Sequence, residues 1–390
     1  MPDRYAEGRA RMVTAIADRW PLSDRALAAV AAVPREAFVP VFFDAVAPGS
    51  SETSEFFAVA DAPPEVVDRI YDADRALGLA RRDGRTTSTV SAPGLLTSML
   101  DLLRLEPGMR VLEVGTGSGY TAALLAEMVG DAALVTSIDI DTQLIDTARV
   151  VLAHAGYEGI EVVSGDGARG VAARAPFDRV VATVGCTDLA PAWFDQLAPG
   201  GSMVIPLQHG GVHPLFEATT ADGVRRARIV GRSGFVYIQG HQAGGRSPWP
   251  FTRCDGEGPF TRVELPNGLG EPFAASAGRR RLGSIALWEF SFFLSLVDHR
   301  TSRLGALADA TGSLAMLHES GVLHRGEHGV DLADALVTHL RDWVGRGRPG
   351  AIRYRNTFVP GPAPEPVTGP DSWTIDRVDH HQVVQLDPEA

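Results

Sequence analysis

Val111-Leu112-Glu113-Val114-Gly115-Thr116-Gly117-Ser118-Gly119-Tyr120 decides how the rest of the chain is read. Arg110 to Val114 reads as a short buried strand, and Tyr120 to Met128 as a helix. Three glycines at alternate positions separate them. Glycine turns where other residues clash, and it leaves no Cβ to block a ligand. A strand, a glycine-rich turn and a helix start together make a nucleotide cradle. The spacing is acidic-x-G-x-G-x-G, not the G-x-G-x-x-G of a pyrophosphate site.

Two acidic residues extend the pattern. Leu134 to Ile138 reads as a second strand ending at Asp139, 24 residues after Gly115. An acid there reaches ribose hydroxyls. Ile160 to Val163 reads as a third strand, followed by Gly165-Asp166-Gly167. The series resembles Rossmann-like S-adenosylmethionine (SAM) methyltransferases. The resemblance implies a doubly wound, mostly parallel α/β sheet. It also implies cofactor contacts from Glu113, Gly115, Thr116, Gly117, Ser118, Gly119, Tyr120, Asp139, Ile140, Gly165, Asp166 and Gly167. Phe177 to Val184 reads as a fourth strand, whose end at Val184 and Gly185 faces the same crevice, because ligands of open α/β sheets sit at strand C-termini.

Upstream, Tyr5 to Arg19 and Ser23 to Val33 have helical spacing, and Pro34 stops the second helix. Then come Val33-Pro34-Arg35-Glu36-Ala37-Phe38-Val39-Pro40, Tyr71-Asp72-Ala73-Asp74 and Thr86-Thr87-Ser88-Thr89-Val90-Ser91-Ala92-Pro93. These resemble, in order, three signatures of protein-L-isoaspartate O-methyltransferases. The resemblance puts Ser91, with Thr89 beside it, next to the acceptor carboxylate and the transferred methyl group. A hydroxyl and the free amides of the helix Leu95 to Leu103 suit an anionic carboxylate. A hydroxyl just before Pro93 also suits a plain helix cap. Likeness runs from about residue 5 to 242, with residues 44–70 as an insertion.

The expected organisation is an N-terminal helical segment (1–85, inserted loop 44–70), a methyltransferase domain (86–242), a linker (243–259) and a C-terminal α/β accessory domain (260–390) that helps grip substrate. In the last, Ile285 to Val297 and Leu332 to Val344 read as helices, and His380-His381 as polarity on a sheet edge. The insertion and the accessory domain resemble enlarged relatives that methylate an Asp of modified ribosomal peptides such as lanthipeptides and graspetides, giving an aspartimide. That tailoring of a precursor peptide is the leading expectation. Isoaspartyl repair is the alternative, followed by a non-catalytic peptide-binding module and small-molecule methylation.

Composition bounds the rest. Net charge is −12, which disfavours a nucleic-acid partner. All 36 basic residues are arginine. The longest apolar runs fall short of a membrane span and the first ten residues are not a signal peptide, so a cytoplasmic protein with no membrane partner is expected. Two cysteines imply neither a disulfide framework nor a zinc cluster; Cys186 reads as packing, and His209 and His213 as loop residues rather than metal ligands.

Overall fold

A computed structural model describes residues 5–44, 55–243, 259–266, 269–270, 273, 285–318, 321–361 and 369–387. Most of the expected linker, residues 244–258, and part of the expected insertion, residues 45–54, lie outside them.

The glycine stretch folds as expected, with strand Val111–Val114 and helix Tyr120–Val129. All four strand residues are buried, as an apolar run in a central parallel strand requires. It is the middle one of five parallel strands in the order Glu161–Ser164, Val135–Asp139, Val111–Val114, Phe177–Ala182 and Leu197–Pro206. Relative to the first strand this is the 3-2-1-4-5 arrangement of a Rossmann-like sheet. Successive residues feed opposite faces: Val111, Val181 and Val204 enter a core shared with the N-terminal helices, while Leu112, Val180 and Met203 enter a second.

The sheet continues antiparallel beyond Leu197–Pro206. Hairpin His213–Ala221 and Val224–Ser233 joins it, then Tyr354–Pro360, His380–Leu386 and Ser372–Asp376. The C-terminal region therefore differs from the separate accessory unit expected over 260–390. Its last three strands complete the catalytic sheet, and its middle forms another sheet from Thr261–Val263, Gly321–Arg325, Leu314–His318, Ala306–Ala308 and Thr301–Arg303. Helix Ile285–Val297 joins the two layers. It is apolar all round: Trp288, Phe292 and Leu296 pack into the main sheet's core, and Phe290, Phe293 and Leu294 into a third core with helix Gly329–Gly345.

The N-terminal segment is helical as expected over Ala6–Ala17 and Asp24–Ala32, the second capped by Ser23. It also carries an unexpected four-stranded sheet, ordered Phe57–Ala58, Val41–Asp44, Leu77–Arg82, Arg85–Val90. Asp83 and Gly84 form its last turn, both at positive φ. The edge strand Arg85–Val90 runs directly into Ser91.

Candidate active site

The strand ends and the edge strand Arg85–Val90 meet at a crevice with about 760 Å³ of empty space, its solvent mouth included. The floor is the glycine turn. One wall is Thr87–Ser91; the other is the extended stretch Val236–Gln239. Asp139, Ile140 and Leu144 close one end. Ile140 and Tyr237 leave apolar surface at the mouth, 41% and 43% exposed.

Gly115, Gly117 and Gly119 have φ of +103°, +52° and +85°, a region that side chains disfavour. A Cβ on Gly115 would meet Thr183 Oγ1 at 2.9 Å; one on Gly117 would point at Ser88 Oγ and the Thr89 carbonyl, each 3.8 Å away. The hydroxyl-bearing strand thus lies directly across the turn. Asp139 Oδ2 accepts from the Gly117 amide at 3.0 Å and Oδ1 from the Asp141 amide at 3.0 Å. A carboxylate has about four acceptor sites, so two remain for a ligand.

Of the expected residues, Ser91, Thr89, Gly115, Thr116, Gly117, Ser118, Tyr120, Asp139, Ile140, Gly167 and Val184 line this crevice. Glu113, Gly119, Gly165, Asp166 and Gly185 stand behind it. Glu113 is a clear correction. It is fully buried, its Oε2 accepts from Ser137 Oγ at 2.6 Å, and Thr116 Oγ1 lies 2.7 Å from that same hydroxyl. Burial pushes its pKa up to about 8 against the opposing hydrogen bonds, so the carboxyl is mostly protonated at pH 7. It ties neighbouring strands under the turn and offers no charge to a cation.

Asp166 lies outside the crevice lining and is anchored by two backbone amides. Oδ1 accepts from Ala168 N at 3.0 Å and Oδ2 from His241 N at 2.7 Å. Gly119 is the αL cap of helix Tyr120–Val129, pressed against Leu152. Cys186 is buried, and burial raises its thiol pKa, so it is packing rather than a nucleophile.

Ser91 does not cap the helix that follows. Helix Pro93–Asp101 begins after Ala92 with no side-chain cap. The amides expected free there are fewer than supposed: Pro93 has none, and Gly94 donates to Ala73 O at 2.9 Å. Among the described residues the Ser91 hydroxyl has no hydrogen-bond partner. Its carbonyl is held from behind by Arg35, which donates from Nη2 to Ser91 O at 2.8 Å and from Nε to Ile70 O at 2.9 Å. The Arg35 guanidinium is fully buried and lies 5.0 Å from the centre of the Tyr120 ring. The Pro34-Arg35-Glu36 signature marked this arginine in sequence, but no local pattern tells that it grips a residue 56 positions on.

The other wall, Val236–Gln239, was not assigned a site role from sequence. It holds to the strand-end loop by Gly185 N to Val236 O (2.8 Å) and Ile238 N to Gly185 O (3.0 Å). Thr87, Ser88, Leu144 and Thr183 are further lining residues that sequence reading missed.

The parallel core, the glycine turn and the crevice at its strand ends define a SAM-dependent methyltransferase. The match to the family model of protein-L-isoaspartate(D-aspartate) O-methyltransferase spans residues 71–243. Proteins named protein-L-isoaspartate O-methyltransferase from Koribacter versatilis and Archaeoglobus fulgidus (the latter numbered 2) are each 34% identical, over 241 and 236 residues. These matches cover 59% and 60% of this chain and 94% of each relative. The chain belongs to the protein-L-isoaspartate O-methyltransferase family, and its cofactor is SAM. A solved structure titled protein-L-isoaspartate O-methyltransferase shares the fold with a TM-score of 0.52 at 22% identity, over 90% of this chain and 96% of that one.

Proposed function

We propose that this chain transfers a methyl group from SAM to the side-chain carboxylate of an L-isoaspartyl residue in a peptide or protein. The observation that carries this reading is the facing of two elements: Thr89 and Ser91 on one wall, the Gly115–Gly117 turn on the floor. A donor on the turn and an acceptor on the wall are then neighbours in one crevice.

The cofactor supplies an electrophilic methyl carbon on a sulfonium. In the proposed transfer an acceptor oxygen bonds to that carbon as the carbon–sulfur bond breaks, and the sulfur keeps the electron pair. No proton moves, because a carboxylate is already ionised at neutral pH. The residues therefore need to bind, desolvate and align. Gly115, Gly117 and Ser118 would carry the donor, Asp139 would accept from its ribose hydroxyls, and Ile140 and Leu144 would give it apolar cover. Ser91 donates its free hydroxyl to the acceptor carboxylate, and Arg35 fixes the backbone from which it does so. Orientation of this kind supplies on the order of 7 kcal/mol when geometry is good.

Tailoring of a ribosomal precursor peptide gains no support from these relatives. The C-terminal third, one reason to expect it, lies within a fold shared over 90% of the chain with a solved structure titled protein-L-isoaspartate O-methyltransferase. The test is incubation with labelled SAM and matched peptides bearing isoaspartate or aspartate. A base-labile methyl ester on the isoaspartyl peptide supports the reading. Esterification of ordinary aspartate alone would return it to tailoring.

A further inference from the structure

We propose that the C-terminal turn Arg377–His380 braces the outer wall of the crevice, so that the last strands of this chain serve donor binding rather than acceptor recognition. The inference rests on the SAM reading of the crevice.

Three layers stack outward from the crevice. The first is the wall Val236–Gln239 with its continuation Gly240–Gln242. Gly240, at φ +79°, lies so close to Asp166 that a Cβ would meet its carboxylate at 2.6 Å, and the His241 amide donates to that carboxylate. The second layer is the loop after strand Phe177–Ala182. Thr187 Oγ1 donates to Gln242 O at 2.9 Å, and Asp188 N donates to Gln242 Oε1 at 3.3 Å.

The third layer is the C-terminal turn. Asp379 N and His380 N donate to Asp188 Oδ2 at 2.6 and 3.1 Å. Nε2 of His380 faces an arginine donor, Arg225 Nη1, so it accepts there, and Nδ1 carries the proton toward Asp188 Oδ1 at 3.2 Å. Arg377 Nη1 donates to Thr187 O at 3.0 Å and Gln208 O at 2.8 Å. Asp188 and Gln242 are wholly buried, so each lost partner would leave a polar group stranded. His380 is thus a buried tie and not the edge polarity its sequence position implied. One link skips the middle layer: His241 Nε2 lies 3.0 Å from Asp379 Oδ1. It joins the turn directly to the residue whose amide holds Asp166.

The test uses the full chain and calorimetric titration with S-adenosylhomocysteine. Wild type must bind it; no binding would sink the crevice reading itself. His241 and Asp379 are partly exposed, so Asp379→Ala and His241→Ala should fold, checked by melting temperature. Each should weaken binding about three- to five-fold. The double variant should be no weaker than either single, because both remove one interaction. Asp379→Asn, which keeps an acceptor for the His241 ring, should restore wild-type affinity within about two-fold. The KM for an isoaspartyl peptide at saturating SAM should stay within about two-fold throughout. Unchanged homocysteine-ligand affinity, additive losses, or a raised peptide KM with intact donor binding would overturn the proposal.

Discussion

Ser91 and Glu113 show how a residue's environment, more than its type, assigns its work. Ser91 presents a hydroxyl with no hydrogen-bond partner among the described residues to the crevice, while its carbonyl is clamped by Arg35. Ser91→Ala should lower kcat/KM for an isoaspartyl peptide on the order of 10²-fold, as loss of one preorganised donor does. S-adenosylhomocysteine affinity should stay within about two-fold, and an equal loss of both would contradict the assignment. Glu113 works oppositely. Unfolded, its carboxyl titrates near 4.5; folded, near 8. Between those values the native state holds a proton that the unfolded state lacks, so stability falls as pH rises, by roughly 1.4 kcal/mol per pH unit at most. Glu113→Gln removes that proton exchange. Its melting temperature relative to wild type should therefore rise between pH 5 and pH 8; a difference independent of pH would show that Glu113 is ionised in the fold. Sequence legibility divided along this line. The glycines and Asp139 could be read because turn and strand-end chemistry is local. Glu113 and Asp166 could not be placed, because their partners, Ser137 and His241, are 24 and 75 residues away.

At the scale of elements, the strand–turn–helix of residues 111–129 was legible because three glycines and an apolar run admit few conformations. Its strain is testable apart from its ligand. Gly115 and Gly108 both have positive φ, +103° and +86°, but only Gly115 sits in the crevice; a Cβ on Gly108 would meet nothing within 4 Å. Gly115→Ala and Gly108→Ala should each lower stability by about 1–3 kcal/mol in urea denaturation. Only Gly115→Ala should weaken S-adenosylhomocysteine binding, by at least about ten-fold; equal effects on binding would remove the turn from the site. The hairpin Leu77–Arg82 and Arg85–Val90 was not legible. Its strands are threonine- and arginine-rich rather than alternating, and its pairing is irregular, with register shifts around Ala80; the neighbouring strand Val41–Asp44 packs Phe43 over Gly78, where a Cβ would come within 2.2 Å of the ring. That hairpin nonetheless leads into Ser91, so the element hardest to read delivers the proposed acceptor side of the site.

At the scale of the molecule, helices Ile285–Val297 and Gly329–Gly345 were foreseeable from their apolar content, but the return of the last strands to the catalytic sheet was not. Nothing local in Tyr354–Pro360 tells that it pairs with Val224–Ser233, more than a hundred residues earlier. The consequence is a chain that does not divide at residue 260. Tyr354, Phe358 and Val384 are at most 1% exposed and fill the core beside Phe216 and Phe292. Phe358→Ala should cost about 3–5 kcal/mol by chemical denaturation. A chain ending at Pro349 should not yield a cooperatively melting protein, and a stable, SAM-binding truncation would show the domains to be separable after all. Catalysis, in this view, belongs to the whole sheet, with donor and acceptor meeting between its strand ends and the N-terminal hairpin. The most direct measurement is the initial rate of methyl ester formation by the full chain on two peptides that differ only in isoaspartate against aspartate. The account predicts turnover on the isoaspartyl peptide, at least about a hundred-fold slowed by Ser91→Ala, and little on the other. Equal rates on both, or turnover indifferent to Ser91, would contradict it.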